Sequence, residues 1–285
     1  MQSSHGLRKT VAKRRQGARQ RSASGGQPVP QHHFRTLFLS DLHLGALGCK
    51  ADRLLDFLTG VRADRYVLVG DVLDLWHPLL PHWSAAHQAV IDHLAARHAD
   101  GAELVYLTGN HDPRPEAAPA HCQLPLTPCR ELVHEAGDGR RYLVVHGDIC
   151  DSRLFRAHVF TRLGSRIDHA LRSLDAALKR LRRRSAPEAR STVEAALASV
   201  NSLLHRGRAH ERKIIALARA QGLDGAICGH FHIADLHEDH GLIYANCGDW
   251  VDSLTAIAEG PDGRLSLLTA QPEPARVAEY DWVQA

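Results

Sequence analysis

Nowhere in its 285 residues does the chain carry an uninterrupted apolar run near the roughly 20 residues needed to span a bilayer. Its N-terminus also lacks the apolar core of a secretory signal. These two absences argue against a membrane-embedded or exported protein and place the expectation in the cytoplasm. The six cysteines (Cys49, Cys122, Cys129, Cys150, Cys228 and Cys247) form no C-x-x-C pair. Scattered cysteines in a chain of this size do not make a disulfide framework, so a reducing compartment is expected. Acidic residues are missing altogether from residues 1–33, which hold seven Arg and Lys. That stretch is also poor in apolar residues and reads as a disordered basic tail.

What is present is ordinary in bulk and unusual in distribution. Hydrophobic residues make up 44% and charged residues 24%, as in a soluble globular protein. The net charge of +3 hides an asymmetry: residues 151–212 carry fourteen Arg and Lys against six Asp and Glu. The basic charge therefore belongs to the tail and to one internal segment, and the rest of the chain is acidic. Histidine is abundant, at 21; only those that end strand patterns merit a ligand reading.

Short apolar runs alternate with helical patterns from Phe34 onward. Strands are expected at residues 36–40, 66–69, 103–107, 142–145, 225–228, 242–245, 254–258 and 265–268. Helices are expected through Leu54, Leu55 and Leu58, over residues 85–96 and over residues 211–220. This alternation predicts an α/β layered core. The segment after Asp151 departs from it. Phe155, Val159, Leu163, Ile167, Leu171, Leu174, Leu178 and Leu181 recur at steps of three and four, which predicts one long amphipathic helix. Val193, Leu197, Val200 and Leu204 predict a second. The pair reads as an insertion (residues 151–210) within a domain spanning 34–270, followed by a C-terminal extension over 271–285.

The expected strands end alike. Residues 36–40 lead to Asp41-Leu42-His43, 66–69 to Gly70-Asp71, and 103–107 to Gly109-Asn110-His111-Asp112. Residues 142–145 lead to His146-Gly147-Asp148 and 225–228 to Gly229-His230-Phe231-His232. In layered α/β folds ligands bind beyond the carboxyl ends of strands, so these groups can converge. Asp, Asn and His without thiolate form a mixed O/N donor set, suited to Mn²⁺, Fe²⁺ or Zn²⁺ rather than to Ca²⁺ or a structural zinc. Two such ions about 4 Å apart need a bridging carboxylate and clamp the attacking and leaving oxygens of a phosphoryl displacement. Any one of these motifs alone is more often a turn or a surface pair. Five in order, each after a strand, are not.

Together these motifs resemble the full set of the calcineurin-like metallophosphoesterases. The resemblance covers residues 34–270 apart from the insertion, and implies a β-sandwich flanked by helices. It implies two divalent ions, Mn²⁺ foremost, one held by Asp41, His43 and His232 and the other by Asn110, His146 and His230. Asp71 would bridge them. His111 would stand beside the substrate, stabilising phosphoryl charge or protonating the leaving oxygen, and a hydroxide on the metal pair would be the nucleophile.

Within that family, Ser40-Asp41-Leu42-His43-Leu44, Gly70-Asp71-Val72-Leu73-Asp74-Leu75-Trp76 and Asn246-Cys247-Gly248-Asp249-Trp250 are similar to the UDP-2,3-diacylglucosamine diphosphatases of lipid A synthesis and their paralogues. Those enzymes use a helical insertion as a lid over acyl chains. They typically carry Arg after the motif asparagine, where this chain has His111, so the similarity is to a paralogous branch. Arg114, Asp74 and Trp76 are candidate substrate contacts.

The expected partner is therefore a phosphorylated or nucleotide-linked small molecule, acylated in the lipid-linked version. A basic amphipathic insert also suits an anionic membrane surface and a peripheral location. Plain packing of the insert on the core is an equal alternative. Nucleic acid ranks lower, because the 179–184 cluster lacks interleaved aromatics. The functions in competition are a metal-dependent phosphoesterase or pyrophosphatase, a nuclease or nucleotide phosphodiesterase, and a non-catalytic scaffold.

Overall fold

Apolar residues occupy both faces of the central strands, and that property sets the layering. The computed structural model describes residues 32–75, 82–114, 117–124, 126–150, 209–239 and 241–270. In chain order the elements are β1 (His32–Leu39), α1 (Ala51–Gly60), β2 (Val61–Val69), α2 (Ala85–Ala99), β3 (Glu103–Leu107), β4 (Glu131–Glu135) and β5 (Arg141–Val145). Then follow α3 (Ala209–Ala220), β6 (Gly225–Cys228), β7 (Asp235–Asp239), β8 (Leu242–Asn246), β9 (Thr255–Glu259) and β10 (Leu265–Thr269). They form two five-stranded mixed sheets, ordered β10-β9-β1-β2-β3 and β4-β5-β6-β8-β7.

Side chains along a strand alternate between faces, so two-sided burial needs two apolar sets. Phe38, Val67, Val69 and Leu107 of the first sheet pack with Tyr142, Val144, Ile227, Ile243 and Ala245 of the second. Their neighbours face outward. Leu37, Leu39, Tyr66 and Leu68 meet Leu54 and Leu58 of α1 and Val90, Ile91 and Leu94 of α2. Leu143, Val145, Ala226, Cys228 and Tyr244 meet Ile214, Ile215 and Ala218 of α3. The result is a β-sandwich flanked by helices, as the resemblance implies. Each fully buried aliphatic side chain in these layers contributes roughly 1.5–3 kcal/mol.

Parallel pairing sends several chain ends the same way. β1, β2 and β3 are mutually parallel, as are β5, β6 and β8. The loops after β1, β2, β3, β5 and β6 carry the five motifs. β3 and β6 have the bounds expected, while β1 begins at His32, two residues before the expected onset of order at Phe34. Likewise α3 begins at Ala209, within the span expected for the insertion. β4 and β7 are additions to the expected elements; both are sheet edges. The remainder of the expected helical insertion, the basic tail through Gln31, the 271–285 extension and Trp76 lie outside the described residues. No described helix is long and apolar enough to cross a membrane. All six cysteines are free, four of them buried.

Away from the motif loops one carboxylate joins the two sheets. Glu259, at the end of β9 and 1% exposed, accepts from Arg35 Nε on β1 at 3.0 Å and from the Gly137 N–H at 2.8 Å. His134 Nε2 on β4 lies 2.9 Å from its other oxygen. Burial pushes the carboxyl pKa up, but His134 and then the Gly137 N–H hold it down at about 2. A depressed carboxyl pKa contributes stability that is complete above the unfolded value near 4.5 and fades as pH falls through the folded value. E259Q is expected to cost about 2 kcal/mol at pH 7, roughly 5 °C in Tm. The gap to wild type should narrow in melts taken between about pH 4.5 and 2; a gap constant over that range would count against this origin.

Candidate metal centre

Side chains from five loops meet where the parallel strands end. The donor atoms of Asp41, His43 and His232 lie within 4.8 Å of one another, as do those of Asp71, His146 and His230. A third group, His43, Asp74 and His111, adjoins the first through the shared His43. All seven expected ligands are described, and six of them fall into the two groups in the expected combinations. Asn110, the seventh, follows Gly109 on the loop whose His111 N–H donates to Asp71 Oδ1 at 2.7 Å.

The backbone is bent to bring them there. Six non-glycine residues among the described ones have positive φ, and five are Asp41 (53°), His43 (47°), Asp71 (52°), His230 (73°) and His232 (56°). The left-handed region disfavours side chains bearing a Cβ, and such strain collects at functional sites. Close approach demands glycine beside them: a Cβ on Gly109 would meet the Asp71 backbone nitrogen at 2.5 Å and the His146 ring at 2.8 Å.

Asp41 and His146 are each held at one atom and carry a second, buried atom without a hydrogen bond. The Asp41 Oδ2 atom accepts from Ser40 Oγ at 2.6 Å and from the His230 N–H at 2.8 Å. Its Oδ1 makes no hydrogen bond although buried, and lies 3.3 Å from His232 Nε2 and 3.7 Å from His43 Nε2. His146 Nδ1 stands 2.9 Å from the Val69 carbonyl, so it must be the protonated nitrogen. That leaves Nε2, 3.3 Å from Asp71 Oδ2, buried and without a hydrogen bond. Asn110 Oδ1 is likewise buried and unbonded. Buried polar atoms are normally satisfied. Asp41 Oδ1, Asn110 Oδ1 and His146 Nε2 thus lie on three loops without a hydrogen bond, a donor set that suits a divalent cation.

Charge is concentrated here. Burial opposes ionisation of Asp71, yet His146 and then His111 hold its pKa far below the carboxylate range. Asp74 is lowered as well, against burial, by hydrogen bonds from His111 and His43. Burial disfavours the charged His146 ring, but Asp71 raises it to about 10. His43 is raised above its ordinary value against burial, by Asp41 and Asp74. His232 is raised against burial by Asp249 ahead of Asp41. The imidazoles thus keep protons that a cation must displace. Loading the protein with Mn²⁺ at pH 7 is expected to release protons. Its calorimetric enthalpy should then vary with the ionisation heat of the buffer, and its affinity should fall as pH is lowered. An enthalpy independent of buffer would contradict this.

Two residues that sequence reasoning left without a role organise the centre. Asp112 accepts from the N–H groups of Asp71 (2.9 Å), Leu73 (2.8 Å) and Gly109 (2.8 Å) and from the Tyr106 hydroxyl (2.6 Å), tying the second loop to the third. Its place in Gly109-Asn110-His111-Asp112 was the only signal. Asp249 faces His232 from the loop after β8. Asp74 sits 3.1 Å from His111 Nδ1 and 3.4 Å from His43 Nδ1, inside the centre. Arg114 is exposed on the loop beyond Asp112. Trp250 is fully buried against Phe57, in the core.

A family model described as Calcineurin-like phosphoesterase matches residues 34–234. Solved structures similar to this chain include Yfce, a phosphoesterase from E. coli, at 15% identity, covering 84% of this chain and 95% of that one with a TM-score of 0.44. Another is Vacuolar Protein Sorting 29 from Cryptosporidium parvum, at 14% identity, covering 85% and 94%, TM-score 0.44. A third is a novel archaeal phosphodiesterase, at 12% identity, covering 81% and 97%, TM-score 0.39. No curated protein matches the chain.

Proposed function

Because the chain belongs to the calcineurin-like phosphoesterase family, we propose that it is a metal-dependent hydrolase of a phosphate ester or pyrophosphate. The observation that carries this reading is the set of buried, unbonded ligand atoms on Asp41, Asn110 and His146. Asp41, His43 and His232 would hold one divalent ion, and Asn110, His146 and His230 the other. Asp71 would bridge them; its charge already acts on His43 of the first group as well as on His146 of the second. The donor set suits Mn²⁺, and Fe²⁺ or Zn²⁺ fit the same atoms. When bound, such ions supply Lewis acidity to a phosphoryl oxygen and lower the pKa of a water molecule.

The protein's own groups do the rest. Asp74 Oδ2 lies 3.1 Å from His111 Nδ1 and would hold that edge of the ring, so that Nε2 would serve the substrate side. There Nε2 donates to the phosphoryl group or hands a proton to the leaving oxygen. The backbone N–H of His111 is committed to Asp71, so one residue couples the bridging carboxylate to the proton donor. Asp112 keeps both loops in register.

For substrate, the reading is a nucleotide-linked, acylated sugar pyrophosphate of the UDP-2,3-diacylglucosamine kind. Its support is the Ser40–Leu44, Gly70–Trp76 and Asn246–Trp250 motifs and the amphipathic, Arg-rich pattern of the insertion. The same basic pattern supports a cytoplasmic enzyme that works peripherally at an anionic membrane surface. Apo protein reconstituted with Mn²⁺ should be offered UDP-2,3-diacylglucosamine, a chromogenic phosphodiester, cyclic nucleotides and single-stranded DNA side by side. Mn²⁺-dependent cleavage of the lipid-linked pyrophosphate is expected. Cleavage of DNA or cyclic nucleotides alone would move the substrate to the nuclease or nucleotide phosphodiesterase class. No cleavage of any would favour a scaffold.

A further inference from the structure

We propose that Asp249 is a positioning residue for the metal centre, orienting the His232 ring so that Nε2 faces the first ligand group; this rests on the metal-centre reading above. His232 has polar neighbours at both nitrogens, the one at Nδ1 at ion-pair rather than hydrogen-bond distance. Nε2 lies 3.3 Å from Asp41 Oδ1 and 3.3 Å from His43 Nε2. Nδ1 lies 3.8 Å from Asp249 Oδ2. A carboxylate behind the outer nitrogen of a ligating imidazole favours the Nδ1–H tautomer, keeps the Nε2 lone pair for the cation and makes it more basic.

The placement of Asp249 is built rather than incidental. The residue is wholly buried, in the loop that follows β8. Its Oδ1 accepts from the Val251 N–H at 2.7 Å and from the Asp252 N–H. Its own N–H donates to Ser253 Oγ at 2.7 Å. The turn holds Oδ1 through the two shorter bonds, while Oδ2 accepts the longer 3.4 Å bond from the Ser253 N–H and is the oxygen nearer His232 Nδ1. The next residue fastens the other side of the same ligand group: the Trp250 N–H donates to the Asp41 carbonyl at 3.0 Å. The Lys50 N–H in turn donates to the Trp250 carbonyl at 2.9 Å. The Asn246-Cys247-Gly248-Asp249-Trp250 motif thus reaches two ligands of one ion, Asp41 by backbone and His232 by side chain. The simpler alternative is that Asp249 only caps the turn at residues 250–253.

D249N separates the two roles. Its amide oxygen still accepts from Val251 and Asp252, so the turn is kept, but the anionic oxygen behind Nδ1 is gone. Mn²⁺ titration followed by calorimetry and by electron paramagnetic resonance is expected to show one ion bound as in wild type. The other should weaken by about 10- to 100-fold, with loss of the spin-coupled pair signal. In the H232A background D249N should add no further loss, because the two act as one unit. Two ions bound by D249N at wild-type affinity would overturn the proposal, as would an additive loss in the double variant. Should D249N fail to fold, ¹⁵N NMR of the wild-type imidazoles loaded with diamagnetic Zn²⁺ decides it. A protonated Nδ1 and ligating Nε2 on His232 support the proposal, and the reverse tautomer overturns it. Wild-type protein that binds no Mn²⁺ at all overturns the metal-centre reading, and this proposal with it.

Discussion

Alanine in place of Asp71 is expected to abolish Mn²⁺-dependent phosphoester hydrolysis, lowering kcat/KM by about 10³-fold or more. The size follows from what the carboxylate would do. Divalent ions contribute several kcal/mol to the stabilisation of phosphoryl-transfer transition states, and about 1.4 kcal/mol is a factor of ten. Asp71 is the member of the second group whose charge also acts on His43 in the first, so its loss should disturb both ions. Circular dichroism and the Tm of the apo protein report whether the fold survives, and metal analysis whether the ions remain. A D71A protein with wild-type turnover would contradict the assignment. A partner-binding scaffold would have no turnover to lose.

Substituting His111 should separate proton transfer from metal binding. Its side chain belongs to neither of the two proposed ion sites, and its contact with Asp71 is made by the backbone N–H, which any substitution retains. H111A is therefore expected to keep both ions while kcat falls by about 10²- to 10⁴-fold, the range of a positioned general acid. The loss should be greatest for substrates whose leaving group is a poor one and most needs the proton, and smallest for an activated phenolate ester. D74N should show a smaller loss, about 10- to 100-fold, because it removes the anchor at Nδ1 and leaves the imidazole. An H111A protein that loses its metal ions together with its activity would mean that His111 acts on the ions instead.

Much of the architecture could be read from residue pattern alone, and the gaps have physical reasons. β3 and β6 were legible as short apolar runs because both are strand segments ending in motif loops. β4 (Glu-Leu-Val-His-Glu) and β7 (Asp-Leu-His-Glu-Asp) were not. Both are edge strands in which charged residues break up the apolar run, whereas β3, also an edge, keeps Leu-Val-Tyr-Leu unbroken. The clustering of Asp41, His43, Asp71, His146, His230 and His232 was legible because every one ends a strand and the parallel pairing sends those ends to one place. The parts played by Asp112 and Asp249 were not, since a buried carboxylate's role depends on which N–H groups and rings surround it in space. Asp112 collects four donors from two stretches of chain, 71–73 and 106–109. Asp249 meets a histidine seventeen positions earlier, across the sheet end. Nor does local pattern reveal that five of the proposed ligands adopt positive φ: Asp and His visit that region more than most residues do, but tertiary contacts decide which of them adopt it.

The proposed metal centre would hold a pair of ions on seven residues. Its most direct test is metal stoichiometry: apo protein saturated with Mn²⁺, freed of excess and analysed by plasma mass spectrometry. Two ions per chain in wild type, falling below one in D71A, is the result this account predicts. Wild-type protein that retains no ion, or D71A that retains two, would contradict it.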